Sequence, residues 1–79
     1  MTEQEMNRLR WHCRRGLLEN DLVLQRFLEQ YGRELEGERL SAFKALLDYA
    51  DDELWGIVSG RSDRYEPRFG GIVARLRAV

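Results

Sequence analysis

The chain has 79 residues, of which 43% are hydrophobic and 34% are charged, and its formal net charge is -1 at pH 7. A chain of this length forms one domain that buries roughly 60% of the surface of its unfolded form, and this composition excludes a disordered tail. The near-neutral charge argues against a generally basic nucleic-acid-binding protein. The single cysteine, Cys13, excludes an intramolecular disulfide and an all-cysteine zinc site.

The composition also predicts the fold class. Leu, Arg and Glu dominate, and the only proline is Pro67, which is typical of helices rather than of many short strands. We expect an all-α fold, a compact five-helix bundle in which residues 1–79 form a single small domain. The N-terminus is polar from Met1 to Asn7, and no run of about 18 apolar residues occurs. We therefore expect a cytoplasmic protein without membrane insertion.

The first predicted helix runs from about Thr2 to Arg14, a stretch without glycine or proline. Thr2 is a suitable N-cap, because Glu5 follows it at the spacing of a capping box. One helical face carries Met6, Leu9, Arg10 and Cys13. Gly16 then interrupts the helix, and its missing Cβ permits either a left-handed turn or the close approach of another chain.

Two longer helices are predicted next. The second extends from about Leu17 to Arg33, and its apolar stripe consists of Leu24, Phe27, Leu28 and Tyr31, with Leu17 and Leu18 about two turns earlier. The third extends from about Glu36 to Tyr49. Its buried positions are expected to be Leu40, Phe43, Leu46 and Leu47.

Two shorter helices complete the predicted bundle. Asp51 or Asp52 is expected to cap a fourth helix that stops at Gly60 and carries Leu54, Trp55 and Val58. Residues 61–66 are expected to form a loop. The fifth helix begins near Pro67, which suits a first helical turn, and its apolar stripe consists of Phe69, Ile72, Val73 and Leu76.

The residues that could carry chemistry do not form a recognisable site. His12 and Cys13 are adjacent, so on a helix they point about 100° apart and are not expected to act as a catalytic pair. The acidic cluster at residues 51–53 is explained by capping and by the helix dipole. Gly70 and Gly71 lie within a predicted helix and lack the preceding strand of a phosphate-binding loop. The sequence therefore indicates no catalytic residues, no metal site and no nucleotide site.

Charge is unevenly distributed along the chain, with basic ends and an acidic middle. A helix-turn-helix protein is therefore a competing class, in which Arg68, Arg75 and Arg77 would contact phosphates. The acidic middle, from Glu19 to Glu53, and the near-neutral net charge argue against it. We expect no nucleic-acid partner.

The segment from Arg8 to Asp21 groups charged side chains around the expected corner at Gly16. In a structural interpretation Arg15 and Glu19 form a helical ion pair of about 0.2–0.5 kcal/mol, Gly16 serves a turn, and Trp11 belongs to the core. In a functional interpretation Gly16 is an exposed spot that a partner's backbone approaches, flanked by groups that make charge-assisted hydrogen bonds. Residue physics alone favours the structural interpretation.

Two motifs bear on this choice. The first comprises Trp11, Cys13, Arg14, Arg15, Gly16, Glu19 and Asp21, and the second is Leu46-Leu47-Asp48 followed by Asp51 and Leu54. Together they resemble the signature of the succinate dehydrogenase assembly factor 2 family, the RGxxE flavinylation factors of bacteria and mitochondria. The resemblance spans nearly the whole chain. Departures at Glu36-Gly37 and at Gly70-Gly71 lie outside the RGxxE segment.

The resemblance implies a five-helix assembly factor that is not an enzyme. It would bind the flavoprotein subunit of succinate dehydrogenase, and often that of fumarate reductase, and promote covalent attachment of FAD to a histidine of that subunit. The factor would carry no cofactor of its own, since the FAD belongs to the partner, and we expect it to be a monomer. The resemblance places Arg15, Gly16 and Glu19 at the tip that enters the partner's cleft, with secondary contacts from Arg8, Trp11, Arg14 and Asp21.

An antitoxin-type or other protein-binding regulator is the alternative function, because some relatives of such factors are described as antitoxins of a small membrane protein. The sequence leaves open whether fumarate reductase is also served. It also leaves open whether the factor contacts FAD directly, and whether Gly16 is mainly structural or mainly interfacial.

Overall fold

A computed structural model of the chain describes residues 2–14 and 16–79, so Arg15, one of the predicted site residues, lies outside the described residues. The described part contains helices and no strand. Its five α-helices are α1 Glu3–His12, α2 Leu18–Tyr31, α3 Glu38–Leu46, α4 Asp51–Val58 and α5 Gly70–Ala78. Short 3₁₀ helices at Gly32–Glu34 and Pro67–Phe69 follow α2 and precede α5. The prediction of an all-α, five-helix fold is confirmed.

The helix starts match the sequence prediction at α1 and differ from it at α4. Thr2 caps α1, since its hydroxyl accepts a hydrogen bond of 3.1 Å from the backbone N–H of Glu5. The prediction that Asp51 or Asp52 caps α4 is wrong. Ala50 takes the N-cap position in an extended conformation, without a side-chain hydrogen bond, and both aspartates lie in the first turn. There their carboxylates still face the positive end of the helix dipole.

Helix α1 ends at His12, slightly before the predicted Arg14, and α2 and α3 also end earlier than predicted. Helix α3 stops at Leu46 rather than at Tyr49, because the backbone N–H groups of Asp48 and Tyr49 bond three residues back and tighten the last turn. Helix α2 is followed by a 3₁₀ turn that begins at Gly32, and the end of the Met6 side chain lies close to this glycine. A Cβ at Gly32 would lie 2.9 Å from Met6 Cε, which is the far end of a flexible side chain, so a shift of that methyl group would accommodate it.

All five helices contribute to one apolar core. Phe27 of α2 and Phe43 of α3 stack with ring centroids 5.0 Å apart, and both are almost completely buried. The remaining helices supply Leu9, Leu54, Ile57, Ile72, Val73 and Leu76, all of them buried. The stripes predicted for α2, α3 and α5 thus supply much of the core. Leu18 is the clear exception, because it is largely exposed.

A single arginine links α5 to the end of α4 and to the loop that follows it. Arg77 of α5 donates from Nε to the carbonyl oxygen of Ile57, at 2.9 Å, and from Nη2 to that of Ser62, at 3.0 Å. Its Nη2 also lies 2.9 Å from Asp63 Oδ1. These bonds satisfy a carbonyl in the last turn of α4 and hold the following loop against α5.

Candidate functional site

The corner between α1 and α2 is built around Gly16. Its φ is +89°, a conformation that side-chain-bearing residues rarely adopt, so the left-handed turn, one of the two alternatives that the sequence leaves open, is present. Gly16 is exposed, and apart from its chain neighbours a Cβ built on it would meet no described residue within 4 Å. Backbone conformation therefore favours glycine at this corner, while its surface stays open to solvent.

The first turn of α2 follows directly and is rich in carboxylates. Leu17 takes the N-cap position without a side-chain hydrogen bond, and Glu19 and Asp21 lie in the first turn. Acidic side chains at this end of a helix are stabilised by the helix dipole. Glu19 is exposed and Asp21 is half-buried. The proposed ion pair of Glu19 with Arg15 lies outside the described residues.

Trp11 does not belong to the core, so that part of the structural interpretation is wrong. Its side chain is 71% exposed. The buried stripe of α1 passes through Leu9 and Cys13, and a residue two positions from each points to the opposite side of the helix. The guanidinium carbon of Arg14 lies 5.2 Å from the centre of the Trp11 ring, within the range of a cation–π contact. Arg8 and Arg14 are exposed, as is Trp11.

Two leucines of α2 extend the exposed apolar surface near the corner. Leu18 is 65% exposed and Leu22 is 45% exposed. The sequence pattern assigned Leu18 to the buried stripe of α2 and overlooked Leu22. Their i, i+4 spacing, offset from the stripe through Leu24, Phe27 and Leu28, is the signal that places both on another face.

Asn20 was also missed by the sequence reasoning, although it lies at the i, i+4, i+7 spacing with Leu24 and Phe27. It is completely buried, and its Nδ2 donates a hydrogen bond of 2.9 Å to the carbonyl oxygen of Asp51. Its Oδ1 has no hydrogen-bond partner within the described part of the chain. The side chain thereby ties the first turn of α2 to the first turn of α4.

A groove between α1 and α2, here called the α1–α2 groove, opens beside the corner with a volume of about 480 Å³. Cys13 and Leu28 form its buried floor. Arg10 and Arg14 line the α1 side. The α2 side is lined by Asp21, Gln25 and Glu29. Two of the predicted site residues, Arg14 and Asp21, are thus brought to one groove.

His12 and Cys13, the residues considered as a catalytic pair, differ in exposure. His12 is exposed and Cys13 is buried. Among the described residues no group of three or more His, Cys, Asp or Glu side chains could hold a metal ion. Nor does any described helix combine the length and apolar character needed to cross a membrane.

The arginines proposed as phosphate contacts have intramolecular partners. Arg68 pairs with Glu66 at 2.6 Å, and Arg75 lies 3.9 Å from a carboxylate oxygen of Glu34. Arg77 donates to the carbonyl oxygens of Ile57 and Ser62 and pairs with Asp63.

The corner, both motifs and the groove all lie within a single family match. Residues 7–79 match the Sdh5 family, whose description is "Flavinator of succinate dehydrogenase". The chain belongs to this family. The resemblance inferred from the two motifs is therefore confirmed, and it covers all seven candidate site residues, Arg8, Trp11, Arg14, Arg15, Gly16, Glu19 and Asp21.

Individual relatives agree with the family match. The chain is 35% identical to the FAD assembly factor SdhE of Methylococcus capsulatus over 95% of its own length and 90% of the relative. It is 39% identical to the protein of the same name from Ralstonia nicotianae, over 91% of this chain and 80% of the relative. The Legionella pneumophila protein of that name is 41% identical over 80% of each chain. No solved structure matches the chain.

Proposed function

We propose that this chain is an assembly factor that binds the flavoprotein subunit of succinate dehydrogenase and promotes covalent attachment of FAD to it. The tip of the binding surface consists of Arg15, Gly16 and Glu19. Secondary contacts come from Arg8, Trp11, Arg14 and Asp21. Membership of the flavinator family and the relatives named as FAD assembly factors support the process. The partner subunit and the residue roles are part of the proposal.

The observation that carries the proposal is the open surface of Gly16. A glycine at a left-handed turn is explained by its backbone alone, but here Gly16 is also exposed, and apart from its chain neighbours no described residue comes within 4 Å of the place that a Cβ would take. A partner's backbone can approach such a surface without meeting a side chain. Exposed Glu19 on one side and exposed Arg14 on the other offer charge-assisted hydrogen bonds at the same place.

The assembly factor contributes orientation rather than covalent chemistry. FAD is carried by the flavoprotein, and the bond to FAD forms within that partner. A factor that holds two parts of the partner in the reactive arrangement removes much of the entropic cost of bringing the reacting groups together. If it binds the unmodified flavoprotein more tightly than the finished one, that difference in affinity also explains its release.

Gly16→Arg tests the proposed tip. The new side chain points into open space, so its cost to folding is limited to the left-handed backbone, about 1–2 kcal/mol. We expect the variant to keep its helical circular dichroism and to lose co-purification with the flavoprotein subunit. Gly60→Arg is the matched control, because Gly60 has φ +86° and an equally open Cβ position. Equal binding by both variants would contradict the proposal.

Glu19→Ala tests the carboxylate of the tip. In a strain that lacks the wild-type factor, we expect the variant to lower the in-gel fluorescence of covalently bound flavin in the flavoprotein subunit. Glu53→Ala is the control, because Glu53 is exposed in the first turn of α4, as Glu19 is in that of α2. Wild-type fluorescence with Glu19→Ala would remove this residue from the mechanism. The same gel also measures the fluorescence of covalently bound flavin in the flavoprotein of fumarate reductase.

A further inference from the structure

The α1–α2 groove carries two opposite charges that form no ion pair with the residues that the structure describes. Arg10 lies on its α1 side and Glu29 on its α2 side, and both side chains are exposed. Neither forms a salt bridge with any residue that the structure describes. By contrast, Arg68, Arg75 and Arg77 all lie within ion-pair distance of a carboxylate of the chain. The groove therefore presents one basic wall and one acidic wall to an outside group.

The dimensions of the groove suit a short piece of polypeptide. Its α2 side extends from Asp21 to Glu29, which at the rise of an α-helix corresponds to about 12 Å. An extended chain covers that length in about four residues. Small-molecule pockets are lined mainly by apolar and aromatic side chains, whereas here only the floor of Cys13 and Leu28 is apolar. A segment with side chains of both signs matches these walls better than a simple anion or cation does.

The groove is continuous with the corner at Gly16. Arg14 and Asp21, which flank that corner in the sequence, both line the groove. The guanidinium of Arg14 also stacks on the exposed ring of Trp11. A partner that covers the corner and Trp11 therefore also covers this end of the groove.

From these features we infer that the α1–α2 groove receives an extended segment of the flavoprotein. That segment places a carboxylate against Arg10 and a cationic side chain against Glu29. This inference rests on the proposed function. It adds a second contact area to the contact proposed at the corner, and it assigns an orientation to the bound segment. The groove sets the direction in which the partner's segment lies, because only one direction pairs both charges.

Filling the groove tests the inference sterically. Gln25→Trp introduces a large side chain at an exposed position on its wall, and Gln30→Trp introduces the same side chain at an exposed position of α2 outside it. With purified flavoprotein subunit in titration calorimetry, we expect Gln25→Trp to weaken binding at least tenfold and Gln30→Trp to bind within twofold of wild type. Equal affinities of the two variants would overturn the inference.

Reversing the charges tests the polarity and does not depend on how the tryptophan packs. We expect Arg10→Glu and Glu29→Arg each to weaken binding about tenfold at low ionic strength. The double variant has the net charge of the wild type, so long-range electrostatics are matched, and we expect it to remain weak. Wild-type affinity of both single variants, or recovery in the double variant, would overturn the proposed polarity.

The outcome also separates this inference from the proposed function. If wild-type protein binds the flavoprotein, Gly16→Arg abolishes binding and the groove variants bind normally, the groove inference alone fails. If the groove variants change only self-association of this chain, the groove is a contact between copies and the inference is wrong. If wild-type protein does not bind the flavoprotein, both proposals fail.

Discussion

Arginine has opposite roles in two regions of the molecule. The corner region is formed by α1 and the first half of α2, and the C-terminal region is formed by α4, α5 and the loop between them. In the C-terminal region Arg77 bonds to two backbone carbonyls and a carboxylate. Near the corner, Arg10 forms no salt bridge with a described residue, and the contact described for Arg14 is with the ring of Trp11. The first arrangement holds the fold together, whereas the second leaves charge available to a partner.

The same contrast applies to the two tryptophans. Trp11 near the corner is 71% exposed, whereas Trp55 of α4 is half-buried and packs against the core. Large aromatic side chains left in water are common anchors of protein interfaces. The comparison therefore predicts that substitutions in the corner region change binding and those in the C-terminal region change stability.

Leu46→Ala should have the largest effect, since Leu46 is completely buried in the core that both regions share. The lost contacts and the cavity should lower the free energy of unfolding by about 2–5 kcal/mol, measured by urea denaturation. Leu40→Ala, at a half-buried position of the same helix, should cost less. We expect the folded fraction of Leu46→Ala to bind the flavoprotein normally. Weaker binding by that folded fraction would show that the two regions are not separable.

Trp11→Ala should weaken flavoprotein binding by about 2 kcal/mol, roughly 30-fold, as expected for an interface anchor. Its stability should stay within about 0.5 kcal/mol of wild type, because the side chain is mostly exposed. Trp55→Ala is the control and should show the reverse, lower stability with unchanged affinity. Calorimetric binding and thermal unfolding measure the two effects. Unchanged affinity of Trp11→Ala would remove Trp11 from the binding surface.

Arg77→Ala should lower stability by about 1–2 kcal/mol, because two backbone carbonyls lose a charged donor. Arg77→Lys should recover only part of this, since an ammonium cannot reproduce the fork of bonds that a guanidinium makes. Urea denaturation measures the loss. Both variants should bind the flavoprotein with wild-type affinity, and a selective loss of binding would assign Arg77 to the interface instead.

Asn20→Leu should have the smallest effect, within about 1 kcal/mol of wild-type stability. The substitution removes one hydrogen bond to Asp51 but also removes a buried oxygen that has no partner among the described residues. Asn20→Ala should cost more, because it leaves a cavity as well. Asn20 joins the corner region to α4, so a loss above about 2 kcal/mol for the leucine variant would show that this link holds the regions together.

Much of the fold could be predicted from apolar spacing. The period of Phe69, Ile72, Val73 and Leu76 places one face of α5 and the end of the preceding 3₁₀ helix in the core, and all these residues are buried. Helix ends are harder to predict from the sequence. For example, Ala50 takes the N-cap position of α4 through its backbone conformation rather than through a side-chain hydrogen bond. Backbone hydrogen bonds that reach back only three residues, from Asp48 and Tyr49, likewise end α3 near an apolar run. Such features depend on backbone geometry that residue type only weakly constrains.

The candidate site could be predicted in part. The glycine corner and its carboxylates follow from residue types and from the motif, and the left-handed turn at Gly16 is one of the two alternatives that the sequence leaves open. The exposure of Trp11 and Leu18 did not follow, because each has the residue type of a core position. Asn20 shows the converse, a polar residue that lies on the buried stripe. Here spacing was the better guide and residue type misled.

Local sequence is enough to predict the five helices apart from their exact ends, the interruption at Gly16, and the family to which the chain belongs. These properties depend on residues that are near one another in the chain. Three features depend on packing between residues that are distant in sequence: Arg77 donates to the carbonyl of Ile57 in α4, Asn20 reaches Asp51, and Arg10 and Glu29 face one groove without pairing. Periodicity tells which residues share a face, but what covers that face depends on helices distant in sequence. Which charges remain for a partner follows from that packing.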